Sequence, residues 1–149
     1  MRWWKLIAVI LLCQIVGFLG SLFDPGKTWY SGLAKPSITP PSWVFGVVWT
    51  LLFVLMAVSL FLVWKPKTGR VVYIAFSLQL FLNVLWSAIF FGLRSPLLAL
   101  VEIFILWASI LWCVILFYKV DKNSAYLLIP YLLWVSFAIV LNALFVAMN

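Results

Sequence analysis

The stretch WVFGVVWTLLFVLMAVSLFLVW, from Trp43 to Trp64, carries no charged residue and is long enough to cross a bilayer as one helix. A transmembrane helix needs about 20 apolar residues, because the hydrocarbon core is about 30 Å thick. Similar, almost uncharged runs extend over Lys5–Phe23, Val71–Leu93, Pro96–Tyr118 and Ser124–Met148. The sequence therefore predicts an all-α integral membrane protein, a bundle of five transmembrane helices.

The composition of the whole chain supports the same class. Of 149 residues, 68% are hydrophobic and 9% are charged, and one small soluble core could not bury so much apolar surface. A β-barrel would need short segments of alternating polarity, whereas these runs are continuous. The first run is long and lacks a signal-peptide cleavage pattern, so it is kept as a helix. Short connections predict a single membrane domain over residues 1–149.

Cations at the ends of the predicted spans indicate the orientation of the chain. One side carries Arg2, Lys5, Lys65, Lys67, Arg70, Lys119 and Lys122, and the other carries Lys27, Lys35 and Arg94. Since cytoplasmic loops are enriched in Lys and Arg, we expect a cell-membrane protein whose N-terminus is cytoplasmic. The outer membrane of a bacterium or organelle is the alternative location. Because these cations form no single patch, no nucleic-acid partner is predicted.

The connection between the first two spans is unusually aromatic and rich in proline. It is the segment WYSGLAKPSITPPSWVFGVVW, from Trp29 to Trp49. An ordinary loop would contain more Gly, Ser, Asn and charge. Aromatic side chains with a polar atom suit the boundary between water and lipid. We predict that this segment is a lid, on the outer side, over an intramembrane pocket, with the lid residues Trp29, Lys35, Pro36, Pro40, Pro41 and Trp43.

Polar side chains inside the spans point to a site, because an unpaired polar group in hydrocarbon is costly. On the third span Gln79, Asn83, Trp86, Ser87 and Phe90 share one face. That face either forms hydrogen bonds between helices or lines a pocket.

Aromatic side chains at helical spacing extend this possible pocket wall. Trp49 and Phe53 share a face of the second span, Trp134 and Ala138 share a face of the fifth, and Trp107 lies on the fourth. Core packing is the alternative interpretation of such stripes. Glu102, also on the fourth span, is expected to pair with Arg94 or cap local backbone rather than act in catalysis.

The usual parts of catalytic and metal sites are missing from the sequence. The chain has no His and three acidic residues. No pair of acids is close enough for acid–base catalysis, and no metal site or required cofactor is predicted. Whether the protein is an enzyme stays open at this point.

Several motifs resemble those of the TspO/MBR family, the tryptophan-rich sensory proteins and translocator proteins, also called peripheral-type benzodiazepine receptors. They are Trp29-Tyr30, L-x-K-P ending at Pro36, P-P-x-W-x-F from Pro40 to Phe45, V-W ending at Trp49, Q-x-x-x-N-x-x-W-S from Gln79 to Ser87, Phe90-Phe91, and P-Y-x-x-W from Pro130 to Trp134 with Asn142. The match covers nearly the whole chain and points to a bacterial member.

The resemblance implies a five-helix bundle, commonly dimeric, that binds porphyrins and benzodiazepine-site ligands in a pocket under the lid. The implied partners are thus a porphyrin or similar flat apolar ligand, membrane lipid and a second copy of the chain. Together with the polar and aromatic faces described above, the resemblance implies these ligand-binding residues: Tyr30, Trp49, Phe53, Gln79, Asn83, Trp86, Phe90, Trp107, Trp134 and Ala138. The cholesterol pattern of eukaryotic relatives is not expected here, since no cation follows Lys122.

Three functions remain compatible with this sequence. The first is a receptor or sensor for a protoporphyrin-type tetrapyrrole. The second is light- and oxygen-dependent degradation of the bound porphyrin, with Trp49 and Trp134 as the residues involved, in which the ring supplies the photochemistry. The third is a transporter of porphyrin or another lipophile, although no inverted repeat is present.

Overall fold

The computed structural model describes residues 3–22 and 28–149, and this part of the chain is helical and contains no strand. The helices are α1 (Trp3–Ser21), the single turn α2 (Thr28–Ser31), α3 (Ser42–Val63), α4 (Arg70–Ser87), α5 (Pro96–Val120) and α6 (Lys122–Met148). A π-helical segment, Ala88–Gly92, continues α4. The predicted all-α class is confirmed.

Four helices are long and apolar enough to cross a membrane: Trp43–Val63, Arg70–Gly92, Pro96–Val120 and Lys122–Met148. Their ends fall within two residues of the predicted spans. The apolar part of α1, Trp3–Leu19, is shorter. At about 1.5 Å per residue it measures about 26 Å, against a hydrocarbon core of about 30 Å. In place of five equal spans, the structure thus has four long helices and one shorter apolar helix. Phe23, the predicted end of the first span, lies outside the described residues.

Short polar residues precede α5 and α6 and cap the N-terminus of each helix. Ser95 caps α5, because its Oγ accepts a hydrogen bond at 3.3 Å from a backbone N–H of the first turn, and Pro96 follows it. Asp121 caps α6 by accepting hydrogen bonds from the N–H groups of Asn123 and Ser124 at 2.9 and 3.2 Å. A single residue therefore separates α5 from α6, and the two helices pack side by side along their length.

Contacts between neighbours close α1, α3, α4, α5 and α6 into a ring. α1 packs on α3 and α4, α3 packs on α6, α6 packs on α5, and α5 packs on α4. In the half where α1 begins, buried side chains such as Val63, Phe117 and Leu128 fill the ring. There the rings of Phe76 and Phe117 stack with centroids 6.1 Å apart. In the other half, next to the π-helical segment, the ring surrounds a cavity.

The outer faces of the ring carry large exposed apolar side chains, including Phe81, Phe104 and Leu133. Water-exposed patches of this extent are rare on soluble monomers, whereas acyl chains cover them in a bilayer. Together with the long apolar helices, these faces are those of a multi-pass membrane protein.

Candidate functional site

A cavity of about 690 Å³ lies inside the helix ring, beneath α2. Small-molecule sites usually occupy about 300–1,000 Å³, so this volume suits a sizeable ligand. All the long helices, α2 and the π-helical segment contribute to its wall, and no described lining residue is charged. The cavity therefore suits a neutral or largely apolar molecule.

Most of the predicted ligand-binding residues come together in the cavity wall. They are Tyr30, Trp49, Phe53, Asn83, Trp86, Phe90, Trp134 and Ala138, and Trp43 of the predicted lid also lines the cavity. Their spacing on separate helices already placed them on inward faces, and the ring of helices brings those faces together.

Gln79 and Trp107 do not line the cavity. Gln79 is buried one turn below Asn83, where its Nε2 lies 3.9 Å from the Sδ of Met56. The Nε1 of Trp107 donates a hydrogen bond of 2.8 Å to Ser136 Oγ, which joins α5 to α6. The face predicted on α4 thus continues below the cavity floor, and Trp107 lies at a helix–helix contact.

Tryptophan rings form one corner of the cavity. The rings of Trp49 and Trp134 are perpendicular, with centroids 6.4 Å apart. Phe53 extends this wall at 5.8 Å from Trp49, and Phe45 contacts Trp134 at 5.9 Å. Perpendicular aromatic pairs such as Trp49 with Trp134 are favourable, and all four of these rings line the cavity.

The π-helical segment shapes the opposite wall. Its wider turn is seen in the hydrogen bond of 2.9 Å from the Leu93 N–H to the Ala88 carbonyl, five residues earlier. Consecutive side chains on an α-helix diverge by about 100°, yet both Phe90 and Phe91 line the cavity. Phe90 also stacks on Trp86 with centroids 5.0 Å apart. The sequence pattern contained no signal for this widening.

Hydrogen bonds position the polar groups of the cavity. Asn83 Nδ2 donates to the hydroxyl of fully buried Tyr131 at 2.8 Å. Trp86 Nε1 donates to Asn142 Oδ1 at 3.0 Å, and Asn142 Nδ2 donates to the Pro96 carbonyl at 2.9 Å. Within the described chain, Tyr131 is the one hydrogen-bond partner of the Asn83 side chain, so the Asn83 carbonyl oxygen is left to accept a bond from a ligand.

The segment predicted as a lid covers the cavity at α2. Trp29 contacts Phe90 and Phe91 with centroids 5.5 and 6.4 Å apart, and Tyr30 contacts Phe145 at 5.7 Å. Burial raises the pKa of the Tyr30 hydroxyl, which stays a neutral hydrogen-bond donor at physiological pH.

The remaining lid residues hold the shape of the segment without lining the cavity. Lys35 Nζ lies 5.0 Å from the centroid of the Tyr30 ring and donates to the Ser31 carbonyl at 3.2 Å. Pro36 is buried, Pro40 is half-buried, and Pro41 directly precedes α3.

The side chain of Asn149 ties the lid to the end of α6. Its Oδ1 accepts from the Ala34 N–H at 3.0 Å, and its Nδ2 donates to the Ala34 carbonyl at 2.9 Å. These two hydrogen bonds resemble those between the backbones of two paired β-strands. Sequence reasoning did not select Asn149, because the two residues are 115 positions apart.

Sequence reasoning also missed the contribution of α1 to the site. Gln14, Gly17 and Phe18 line the cavity, and Gln14 Nε2 donates to the Thr50 carbonyl on α3 at 3.2 Å. As a small residue in a span, Gly17 would by its sequence alone indicate close packing between helices, not a pocket. Phe145, which also lines the cavity, lies seven residues after Ala138 and so continues the same face of α6.

Glu102 is placed differently from the expectation. The prediction of a partner in Arg94 or in local backbone is wrong, because both carboxyl oxygens of Glu102 are buried without a hydrogen-bond partner in the described chain. Arg94 instead occupies the turn after the π-helical segment, at a left-handed φ of 53°. Glu102 is not among the residues that line the cavity.

Comparison with known proteins identifies the fold family. The model of the TspO/MBR family matches residues 9–147. The tryptophan-rich protein TspO of Chlorobaculum tepidum is 45% identical over 93% of this chain and 91% of its own length. The human translocator protein is 40% identical over 84% and 78%, and the tryptophan-rich sensory protein of Cereibacter sphaeroides is 31% identical over 95% and 89%. With an aromatic cavity under an aromatic lid and these relatives, the chain belongs to the TspO/MBR family.

Proposed function

We propose that this protein is a membrane receptor or sensor that binds a protoporphyrin-type tetrapyrrole, or a synthetic benzodiazepine-site ligand, in the cavity beneath α2. The observation that carries this proposal is a cavity of about 690 Å³ that is walled by aromatic rings and whose described lining residues are uncharged. A flat, mostly apolar ring system gains from stacking on such walls. Family membership points the same way, since one relative is named a sensory protein.

Polar contacts would orient the ligand within the apolar cavity. The Asn83 carbonyl oxygen can accept a hydrogen bond from a ligand N–H, because its amide nitrogen is held by Tyr131. Trp49 and Trp134 offer ring faces at the corner of the cavity. Trp29 and Tyr30 of the lid contact the cavity wall. A bound ligand would therefore change the position of the lid, and this change would signal that the cavity is occupied.

The proposal includes a membrane arrangement. We place five spans across the bilayer, with α1 as the shortest, the N-terminus in the cytoplasm and the lid outside, because cations are more numerous at the end where α1 begins. We further expect a homodimer surrounded by membrane lipid.

A fluorescence titration tests the binding proposal. Protoporphyrin added to the purified protein should quench tryptophan emission in a saturable manner. Replacing both cavity tryptophans, Trp49→Ala with Trp134→Ala, should weaken binding by about tenfold, since stacking on an aromatic ring contributes about 0.5–1.5 kcal/mol at each site. The control is Trp112→Ala, at a tryptophan outside the cavity wall. Non-saturable quenching, or unchanged affinity in the double variant, would contradict the proposal.

Degradation of the bound porphyrin is the second candidate function. The observation that favours it is the contact between Trp49 and Trp134 inside the cavity, where an indole can donate an electron to a photo-excited ring. Dioxygen is the oxidant and the porphyrin supplies the photochemistry. Illuminating the complex should then yield one defined product faster than porphyrin in detergent alone. Bleaching at the detergent rate would exclude this activity.

Transport has less support. The human relative is named a translocator protein. Below the cavity, however, Met56, Gln79, Ile110 and Tyr131 are each no more than 1% exposed. In the described part of the chain the bundle is therefore closely packed beneath the cavity, and a path across the membrane would require the helices to separate.

A further inference from the structure

A second recess lies at the opposite end of the bundle from the cavity. It measures about 300 Å³ and is lined by Lys5, Trp64, Lys65, Pro66, Thr68 and Tyr73. These residues come from the start of α1, the connection between α3 and α4, and the first turn of α4. Lys5 Nζ lies 4.5 Å from the centroid of the Trp64 ring. Two ammonium groups and two aromatic rings, distant in sequence, thus share one small space.

This recess is strongly basic. None of the described residues that line it is acidic, while Lys67, Arg70, Lys119 and Lys122 lie at the same end of the bundle. Asp121 is the one acid among the described residues there. Its Oδ2 is 3.7 Å from Lys65 Nζ, and its Oδ1 is used to cap α6. The carboxylate of Asp121 carries one negative charge, which is too little to neutralise the positive charges at this end of the bundle.

Lys5 in particular keeps its capacity to bind an anion. Within the described chain its ammonium contacts the rings of Trp4 and Trp64 and forms no ion pair with a carboxylate. A ring face attracts the cation without neutralising its charge or using its N–H donors. Ammonium groups bind phosphate oxygens through charge-assisted hydrogen bonds, so a phosphate group is the anion that this recess suits.

The surroundings favour a phosphate that belongs to a lipid. Trp and Tyr concentrate at the headgroup level of membranes, where Trp64 and Tyr73 would lie. Below the recess, α1 and α4 pack on each other and expose apolar side chains: Ile7 and Leu11 on α1, Ile74 and Leu78 on α4. Acyl chains attached to the phosphate could cover these side chains, which free phosphate would leave exposed.

We propose that this recess is a binding site for one anionic phospholipid, with its phosphate between Lys5 and Lys65 and its acyl chains along α1 and α4. The bound lipid bridges the start of α1 to the connection between α3 and α4. It therefore fastens α1 to the rest of the ring, at the end remote from the cavity.

Native mass spectrometry of the full-length protein in detergent tests this site. Phosphatidylglycerol is titrated, with phosphatidylcholine of the same acyl chains as the neutral comparison. We expect one tightly retained phosphatidylglycerol. The double variant Lys5→Gln with Lys65→Gln should lose roughly tenfold or more in affinity, since each lysine near an anionic lipid contributes about fivefold. The matched double variant Lys119→Gln with Lys122→Gln removes the same charge at the same end outside the recess, and should lose much less.

Three outcomes would overturn the proposal. Equal losses in the two double variants would assign binding to overall charge rather than to the recess. Equal retention of phosphatidylcholine would remove the role of the anionic headgroup. Full displacement of the lipid by millimolar inorganic phosphate would make this a site for a free anion. Helical content by circular dichroism is compared among all variants, and Lys5→Gln alone replaces the first double variant if its helical content falls.

Discussion

At the residue scale, Gly17 on α1 controls the position of a cavity side chain. A Cβ atom at Gly17 would lie 2.7 Å from Cε2 and 2.9 Å from Cδ2 of Phe53. Such distances are shorter than van der Waals contact, so the missing side chain is what lets the Phe53 ring lie against α1. Phe53 itself is 4% exposed and lines the cavity.

The variant Gly17→Ala should push the Phe53 ring into the cavity. Overpacking of this kind usually costs about 1–3 kcal/mol, and because the cavity gives the ring somewhere to move, we expect the cost mainly in ligand binding, as a loss of about tenfold. A titration with protoporphyrin measures it. Gly69→Ala, where no atom lies within 4 Å of the new Cβ, is the control. Equal affinities in the two variants would show that Phe53 does not limit binding.

Tyr131 acts at the same scale through Asn83. In Tyr131→Phe the half-buried amide nitrogen of Asn83 loses its hydrogen-bond partner, which should lower the free energy of unfolding by about 0.5–1.5 kcal/mol. The amide is then free to rotate, so ligand affinity should also fall. Thermal unfolding and titration measure the two effects. Tyr126→Phe, at an exposed tyrosine, should change neither, and a Tyr131→Phe variant that behaved like it would contradict the proposed positioning.

At the element scale, the lid is held by contacts at two places. Its α2 turn packs on Phe90 and Phe91 of the π-helical segment, and its Ala34 backbone pairs with the Asn149 side chain beyond α6. The first contact buries apolar surface, whereas the second consists of exposed hydrogen bonds, which contribute little to stability individually. The Asn149 contact is therefore the one that can open without unfolding a helix.

Replacing Asn149 should loosen the lid without changing the fold. In Asn149→Ala the two hydrogen bonds to Ala34 are lost, and we expect ligand dissociation to become about fivefold faster, at about 0.5–1.5 kcal/mol for each net hydrogen bond. Stopped-flow displacement of bound protoporphyrin measures this rate. Asn123→Ala, near the start of α6, is the control. If both variants released ligand at the parental rate, the lid would be only a connection between helices.

At the scale of the whole molecule, one half of the helix ring is packed and the other half is hollow. Phe76 stacks on Phe117 in the packed half, and Ser59 on α3 donates to the Ser124 carbonyl of α6 at 2.7 Å. The hollow half lacks this internal packing around its cavity. A ligand there would supply contacts that the chain does not make with itself.

Ligand binding should consequently raise the temperature of unfolding. A ligand at a hundred times its dissociation constant stabilises the folded state by about 2.7 kcal/mol, provided that it does not bind the unfolded chain. We expect a rise of several degrees with protoporphyrin, measured by circular dichroism at fixed detergent concentration. At the same ligand concentration, the tenfold weaker binding of the Trp49→Ala, Trp134→Ala double variant leaves about 1.4 kcal/mol, so about half of this rise should be lost. An unchanged transition temperature at saturating ligand would argue against a site in the cavity.

Much of the candidate site could be predicted from the sequence, because side chains recur on one face of a helix with a fixed period. Asn83, Trp86 and Phe90 recur at helical spacing, and an inward face in a ring of helices must meet other inward faces. The same rule selected Gln79, which lies on that face but below the cavity floor. Periodicity specifies the direction of a side chain, whereas the depth of the cavity depends on how the neighbouring helices fill the space.

The amino-acid pattern alone was sufficient for the membrane class, for four of the helices to within two residues and for an aromatic segment before Trp49, because hydrophobicity and helical period are local properties. Three features depend on tertiary structure: the π-helical widening that directs Phe90 and Phe91 together, the contact of Gly17 with Phe53, and the pairing of Asn149 with Ala34. The last two features join groups from separate elements, and the first departs from ideal helix geometry. All three depend on how the helices pack against one another, which a local sequence pattern does not specify.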